Sequence, residues 1–215
     1  MSQMQSSREA ILSDIRGALG ARTKDPDQGW QSLPRNYKRV GTLPASERLL
    51  LLEARLADYG AVVHHSSEAE IAASVAKILT ERGKKRLAIP AGLPAAWLPQ
   101  GFEFVEADRL AATDLNQLDG TVSAATLAIA ETGTIMLQTL PAQGPRKLSL
   151  VPDFHLSIVF TRDVVETVPE AFERIRETAS LPTTFISGPS ATADIEMTRI
   201  KGVHGPRALD VLLVD

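Results

Sequence analysis

Apolar positions along the chain change period several times, and each change marks an element. Ser7 to Gly20 places Ile11, Leu12, Ile15, Ala18 and Leu19 on one helical face, with Gly20 as a natural stop. Ala21 to Thr42 has no clear period and is rich in charges. Trp30, Pro34 and Tyr37 are its scattered anchors, the pattern of an extended arm ordered by docking. From Leu43 the pattern is regular. Pro44 to Tyr59 predicts a helix carrying Leu49, Leu50, Leu52 and Leu56, ended by Gly60, and Ala61 to His64 predicts a strand. Ser67-Glu-Ala-Glu70 reads as a capping box opening a helix to about Arg82, with Ile71, Val75, Ile78 and Leu79 inward. Arg86 to Ile89 and Phe102 to Val105 are the next strands.

The second half continues in shorter pieces. A short helix is expected near Thr113 to Leu118. Ala128 to Glu131 and Ile135 to Gln138 are strands around a Thr-Gly-Thr turn, followed by a polar loop over Pro141 to Arg146. His155 to Phe160 is a strongly apolar strand. Thr167-Val-Pro-Glu170 is a second capping box, opening a helix to about Ala179. Thr183 to Ser187 is a strand broken by Gly188-Pro189, and Ala208 to Val214 closes the chain as another. Alternating helices and strands predict an α/β fold, with a mostly parallel central sheet flanked by helices. The expected division is an N-terminal helix and arm over residues 1–42 and an α/β domain over 43–215.

Composition narrows the function classes. The 215 residues are 44% hydrophobic and 23% charged, ordinary for a globular protein, and a net charge of -3 gives no reason to expect nucleic acid. No run approaches the roughly 18–20 apolar residues of a membrane span, and the N-terminus lacks a signal-peptide pattern, so a cytoplasmic address is expected. The chain contains no cysteine, which removes disulfides, thiol catalysis and Cys-ligated iron–sulfur clusters from its own chemistry. Of four histidines, His64 and His65 are adjacent on a strand and should face opposite ways, so no metal centre is expected.

Candidate chemistry gathers in four places. Glu131 sits beside Thr132, Gly133 and Thr134 in the middle of an apolar segment, where a charge must be either satisfied by hydrogen bonds or used in chemistry. Gly188, Ser190, Thr192 and Asp194 leave a strand end. Their turn suits an anion, although the same residues also cap helices and satisfy turns. His204 lies between Gly202 and Gly205, either as a proton shuttle or as part of a tight turn. Arg146 follows a Gly-Pro loop and can meet an anionic substrate, pair with Glu131, or stand solvated at the surface. Neither a Walker loop, a GxGxxG fingerprint, a nucleophile-elbow serine nor a zinc-protease helix is present.

Four blocks in order carry a resemblance. They are Ala128-Ile-Ala-Glu-Thr-Gly-Thr134, Leu148-Ser-Leu-Val-Pro152 with the His155 strand, Ile186-Ser-Gly-Pro-Ser-Ala-Thr-Ala-Asp-Ile-Glu196, and Gly202-Val-His-Gly-Pro206. From Leu43 to the C-terminus the chain resembles the LutC/YkgG lactate-utilisation family, the LUD domain. The resemblance implies a fold like that of ribose-5-phosphate isomerase and the CoA transferases (NagB/RpiA-like). It also implies a part in oxidising L-lactate to pyruvate beside partners that carry the iron–sulfur clusters, with no cofactor bound by this chain itself. On that reading Glu131 and His204 form the polar core of a site for a small carboxylate or phosphate-bearing ligand. Thr132, Gly133 and Thr134 shape it, Gly188, Ser190, Thr192, Asp194 and Gly205 cradle the anion, and Arg146 attracts it. The alternative is a stand-alone CoA-transferase-like or phosphosugar-isomerase-like enzyme that uses Glu131 as nucleophile or base.

Overall fold

The computed structural model describes residues 7–20, 26–192, 200–201 and 205–215. It divides into two units, residues 1–37 and 38–215. In the first, helix α1 (Ser7–Leu19) is followed by α2 (Pro26–Gln31), so the arm is not extended throughout. Proline at a helix start loses no hydrogen bond, and Asp27 in the first turn suits the positive end of the helix dipole.

The second unit is layered. Strands β1 (Val62–Ser66), β2 (Arg86–Ile89), β3 (Glu103–Glu106), β4 (Gly120–Ala124), β7 (Phe154–Phe160) and β12 (Ala208–Val214) form the central sheet. Their spatial order is β1-β12-β7-β4-β2-β3 and every pair is parallel. Alternation along each strand assigns its two faces. Leu87, Val122, Phe154, Leu156, Ile158, Leu212 and Val214 pack with Ile71, Val75, Ile78 and Leu79 of α4 (Ile71–Glu81). On the other face Val159, Leu209, Val211 and Leu213 meet Leu52 and Leu56 of α3 (Ala45–Asp58) and a second, smaller sheet.

That second sheet contains β5 (Leu127–Ile129), β6 (Thr134–Gln138), β8 (Val164–Val165) and β9 (Thr183–Ile186) in the order β8-β5-β6-β9. The strands around the Thr-Gly-Thr turn therefore leave the central sheet. A tight turn can join only antiparallel neighbours, and β5 and β6 pair in that sense. Ala128, Ala130, Ile135 and Leu137 face the central sheet, while Leu127, Ile129 and Met136 pack on α6 (Val168–Arg174).

Two capping boxes were expected, and the structure completes one. Thr167 and Glu170 satisfy each other's backbone N–H groups at the start of α6. Ser67 instead donates its hydroxyl to the Glu70 carboxylate at 2.9 Å, a short 3-10 turn covers Glu68–Glu70, and α4 begins only at Ile71. Leu50 on α3 points to solvent, being 65% exposed, whereas Leu52 and Leu56 are fully buried. The histidine pair behaves as alternation requires. His64 bonds the buried Asp210 carboxylate at 3.1 Å, and His65 turns outward towards Glu53. A short helix α5 (Ala112–Leu115) and an antiparallel pair, β10 (Ala191–Thr192) with β11 (Ile200–Lys201), are also described.

Candidate functional site

The turn between β5 and β6 is set by one glycine. Gly133 has φ +58°, and a Cβ there would lie 2.6 Å from the Arg55 Cβ and 3.0 Å from its carbonyl carbon. Conformation and close approach to the C-terminal turn of α3 both require glycine here. Gly188, with φ +89°, is seated in the same way against Tyr59, one turn further along. Hydroxyls join the two pieces. Thr132 and Thr134 lie 2.7 Å apart, and Thr134 is 2.8 Å from the Ser187 hydroxyl. The Ser190 N–H donates to the Pro206 carbonyl at 2.8 Å, with Gly205 packed against the Ser190 side chain. Thr132, Gly133, Thr134, Gly188, Ser190 and Gly205 thus form one connected rim.

Glu131 opens this turn. Its N–H donates to the Glu166 carbonyl at 3.0 Å, while its side chain is exposed and makes no hydrogen bond among the described residues. Thr192 lies in β10, whose backbone alone is described, and Asp194 and His204 fall outside the described residues. Arg146 is placed elsewhere. It stands beside Gln138 and Thr184, at the opposite end of β6 from Glu131, about 13 Å of strand away. The suggested Glu131–Arg146 pair is therefore not formed, because the strand that begins beside Glu131 ends beside Arg146.

The buried carboxylate of this region is Glu166, which sequence reasoning missed. It is 2% exposed and accepts from the Lys38 ammonium and from the Leu43 N–H at 2.6 Å. These bonds, that with Lys38 foremost, hold the Glu166 carboxyl below its ordinary range and raise Lys38, to which Glu131 also contributes attraction. Glu170 accepts from the N–H groups of Thr167 and Gly41, and a Cβ on Gly41 would strike the Glu166 side chain. Two carboxylates thereby clamp residues 38–43 onto the start of α6. The signal was available: Glu166 stands in Val164-Val-Glu-Thr-Val168, the same carboxylate-in-apolar setting that singled out Glu131.

Between the two sheets lies a second feature that spacing did not reveal. Thr121 and Ser123 of β4 and His155 and Ser157 of β7 are in register on the face turned towards the smaller sheet, and all four are buried. The Ser123 hydroxyl and His155 Nε2 are 2.8 Å apart, and burial pushes the imidazole down to about 4, so it is neutral at pH 7. Sealed from solvent, this pair is part of the scaffold rather than of a substrate surface.

Among the described residues no group of three or more His, Asp or Glu side chains is arranged to hold a metal, and no helix is long and apolar enough to cross a membrane. Comparisons with known proteins give a consistent picture. Residues 49–214 match the LUD domain family. Lactate utilization protein C of Deinococcus radiodurans is 41% identical over 181 residues, covering 83% of this chain and 84% of that protein. The uncharacterized protein YkgG of Escherichia coli is 33% identical over 93 residues, 40% of each chain. The crystal structure of a DUF162 family protein from Deinococcus radiodurans superposes with a TM-score of 0.70 at 35% identity, covering 81% of this chain and all of that one.

Proposed function

Because this chain belongs to the LUD domain family, we propose that it is the non-redox component of a system that oxidises L-lactate to pyruvate. In that role it binds a small anionic ligand at the Glu131 turn and associates with partner subunits that carry iron–sulfur clusters. The observation that carries the reading is the connected rim. Two left-handed glycines seat the turn and the Ser187 loop on one helix end, and three linked hydroxyls stand beside a solvent-facing carboxylate. Hydroxyls can donate to a carboxylate ligand, and in this reading Glu131 accepts a donor from the same molecule. Removing two electrons and two protons from lactate requires an electron acceptor. A chain without cysteine cannot hold an iron–sulfur cluster by thiolates, and in the proposed role its partners' clusters take the electrons.

Two measurements in the native host test this reading. A tagged copy should recover Cys-rich iron–sulfur proteins, and a deletion strain should fail on L-lactate while growing normally on glucose. Recovery of no such partner together with normal growth on L-lactate would overturn it. The exposed carboxylate of Glu131 favours one second reading, a CoA-transferase-like enzyme that forms an acyl adduct there. An adduct formed with acyl-CoA and lost in Glu131→Gln supports that enzyme, and absence of CoA binding removes it.

A further inference from the structure

The carboxyl ends of the central strands hold a built cleft that is separate from the Glu131 rim. Strand order reverses between β2 and β4: the chain leaves β2 for β3 on one side and β4 for β7 on the other. In open α/β sheets such a reversal leaves a crevice beyond the strand ends. Beside that reversal, beyond the ends of β2 and β3, lies an open cleft of about 370 Å³, bordered by Gly92 after β2, Asp108 after β3, and Thr139, Leu140, Pro141 and Gly144.

The loop that floors it is strained and firmly held. Ala142 has φ +67°, the single positive φ at a non-glycine among the described residues. Two backbone bonds of 2.8 Å fix it there, from its own N–H to the Ala91 carbonyl and from the Ala124 N–H to its carbonyl. Gln143 adds a third tie, its Oε1 accepting from the Thr126 hydroxyl at 2.6 Å and from the Gln138 N–H at 2.7 Å. These bonds, with Ala142 packed against the core, hold the loop in one conformation at the edge of the cleft.

The polar groups around the cleft are of two kinds. One oxygen of Asp108 accepts from the Ala91 N–H at 3.1 Å, and no cation pairs with this carboxylate among the described residues. Lys147 is occupied by the Leu110 carbonyl at 2.7 Å, whereas its exposed neighbour Arg146 makes no ion pair among the described residues. Arg146 lines the adjoining notch, which shares Thr139 and Gly144 with the cleft.

We infer that this cleft is a second binding site, for a hydroxylated organic anion whose charged group meets Arg146 and whose hydroxyls donate to Asp108. The volume lies within the range of small-molecule sites and accommodates roughly a dozen non-hydrogen atoms, more than a three-carbon acid needs. Leu140 and Pro141 supply the apolar wall for its carbon skeleton.

The test uses the full-length chain with three probes of one length: D-gluconate, with carboxylate and hydroxyls, hexanoate, with carboxylate only, and sorbitol, with hydroxyls only. Calorimetry should show saturable binding of gluconate, with hexanoate and sorbitol each about tenfold weaker or more. Arg146→Ala and Asp108→Asn, the latter keeping an acceptor for the Ala91 N–H, should each weaken gluconate about tenfold. Glu131→Gln should leave it unchanged, which separates this site from the proposed function at the rim. No saturation by about 20 mM gluconate overturns the inference. So does equal binding of hexanoate or sorbitol, indifference to both cleft variants, or loss of binding in Glu131→Gln.

Discussion

Gly133→Ala is the most informative single change at the rim. Alanine in the left-handed region costs about 1–2 kcal/mol by itself. Its new methyl would also lie 2.6 Å from the Arg55 Cβ and 3.0 Å from the Arg55 carbonyl carbon, neither of which is a flexible side-chain end. Overpacking of that kind adds about 1–3 kcal/mol, so a total loss of about 2–5 kcal/mol is expected. Gly83→Ala supplies the control. Gly83 has nearly the same backbone, φ +64°, yet nothing lies within 4 Å of its Cβ position, so only the conformational cost of about 1–2 kcal/mol applies. Urea denaturation of wild type and both variants reads the difference, provided that the slope with denaturant is shared. An equal loss in the two variants would refute the packing of the Thr-Gly-Thr turn on α3, and with it the placement of Glu131.

Other parts of the fold make independent predictions. His155 is held neutral with a pKa of about 4 against 6.5 in the unfolded chain. As pH falls from 6.5 to 4 the unfolded state takes up a proton that the folded state refuses, so stability should fall by about 3 kcal/mol across that window. His155→Gln should flatten this part of the pH–stability curve, and an unchanged slope would place the imidazole elsewhere. Arg82 donates to the buried Asp210 carboxylate at 2.6 and 3.0 Å. Arg82→Met leaves Asp210 with His64 alone and should cost about 3 kcal/mol in denaturation midpoint analysis, whereas a neutral result contradicts the burial of that charge. Ala142→Gly should not weaken the protein as glycine usually does. Relief of the positive φ should offset the added chain entropy, giving a thermal midpoint equal to or above that of wild type.

How much of this was legible in the sequence differs by kind of contact. The helices α3 and α4 follow from apolar period, because each buries one face. Strands β1, β2, β3, β7 and β12 follow as short apolar runs between turn residues, whereas β4, which begins at Gly120 directly after Asp119, reads as a turn in the sequence. The second sheet does not follow from period. Residues 127–138 are apolar on both faces, since β5 and β6 lie between the central sheet and α6, and period alone cannot say which sheet a doubly buried strand joins. Gly133 and Gly188 were readable as turn residues, but only the structure shows that both lean on α3. Glu131 attracted attention by standing in an apolar run, yet it is exposed, and the buried charge is Glu166, tied to Lys38 from 128 positions away. Pairings across such separations leave no local signal. The cleft was missed for the same reason, since Gly92, Asp108 and Gly144 meet only once β2, β3 and the loop after β6 are assembled.

The proposed role makes this chain necessary for lactate oxidation, acting through the Glu131 rim. Its most direct test is the rate of pyruvate formation from L-lactate, with an artificial electron acceptor, in extracts of the deletion strain. The rate should be lost on deletion, restored by the wild-type gene, and not restored by Glu131→Gln expressed to the same level. A deletion extract that oxidises L-lactate at the wild-type rate would contradict it.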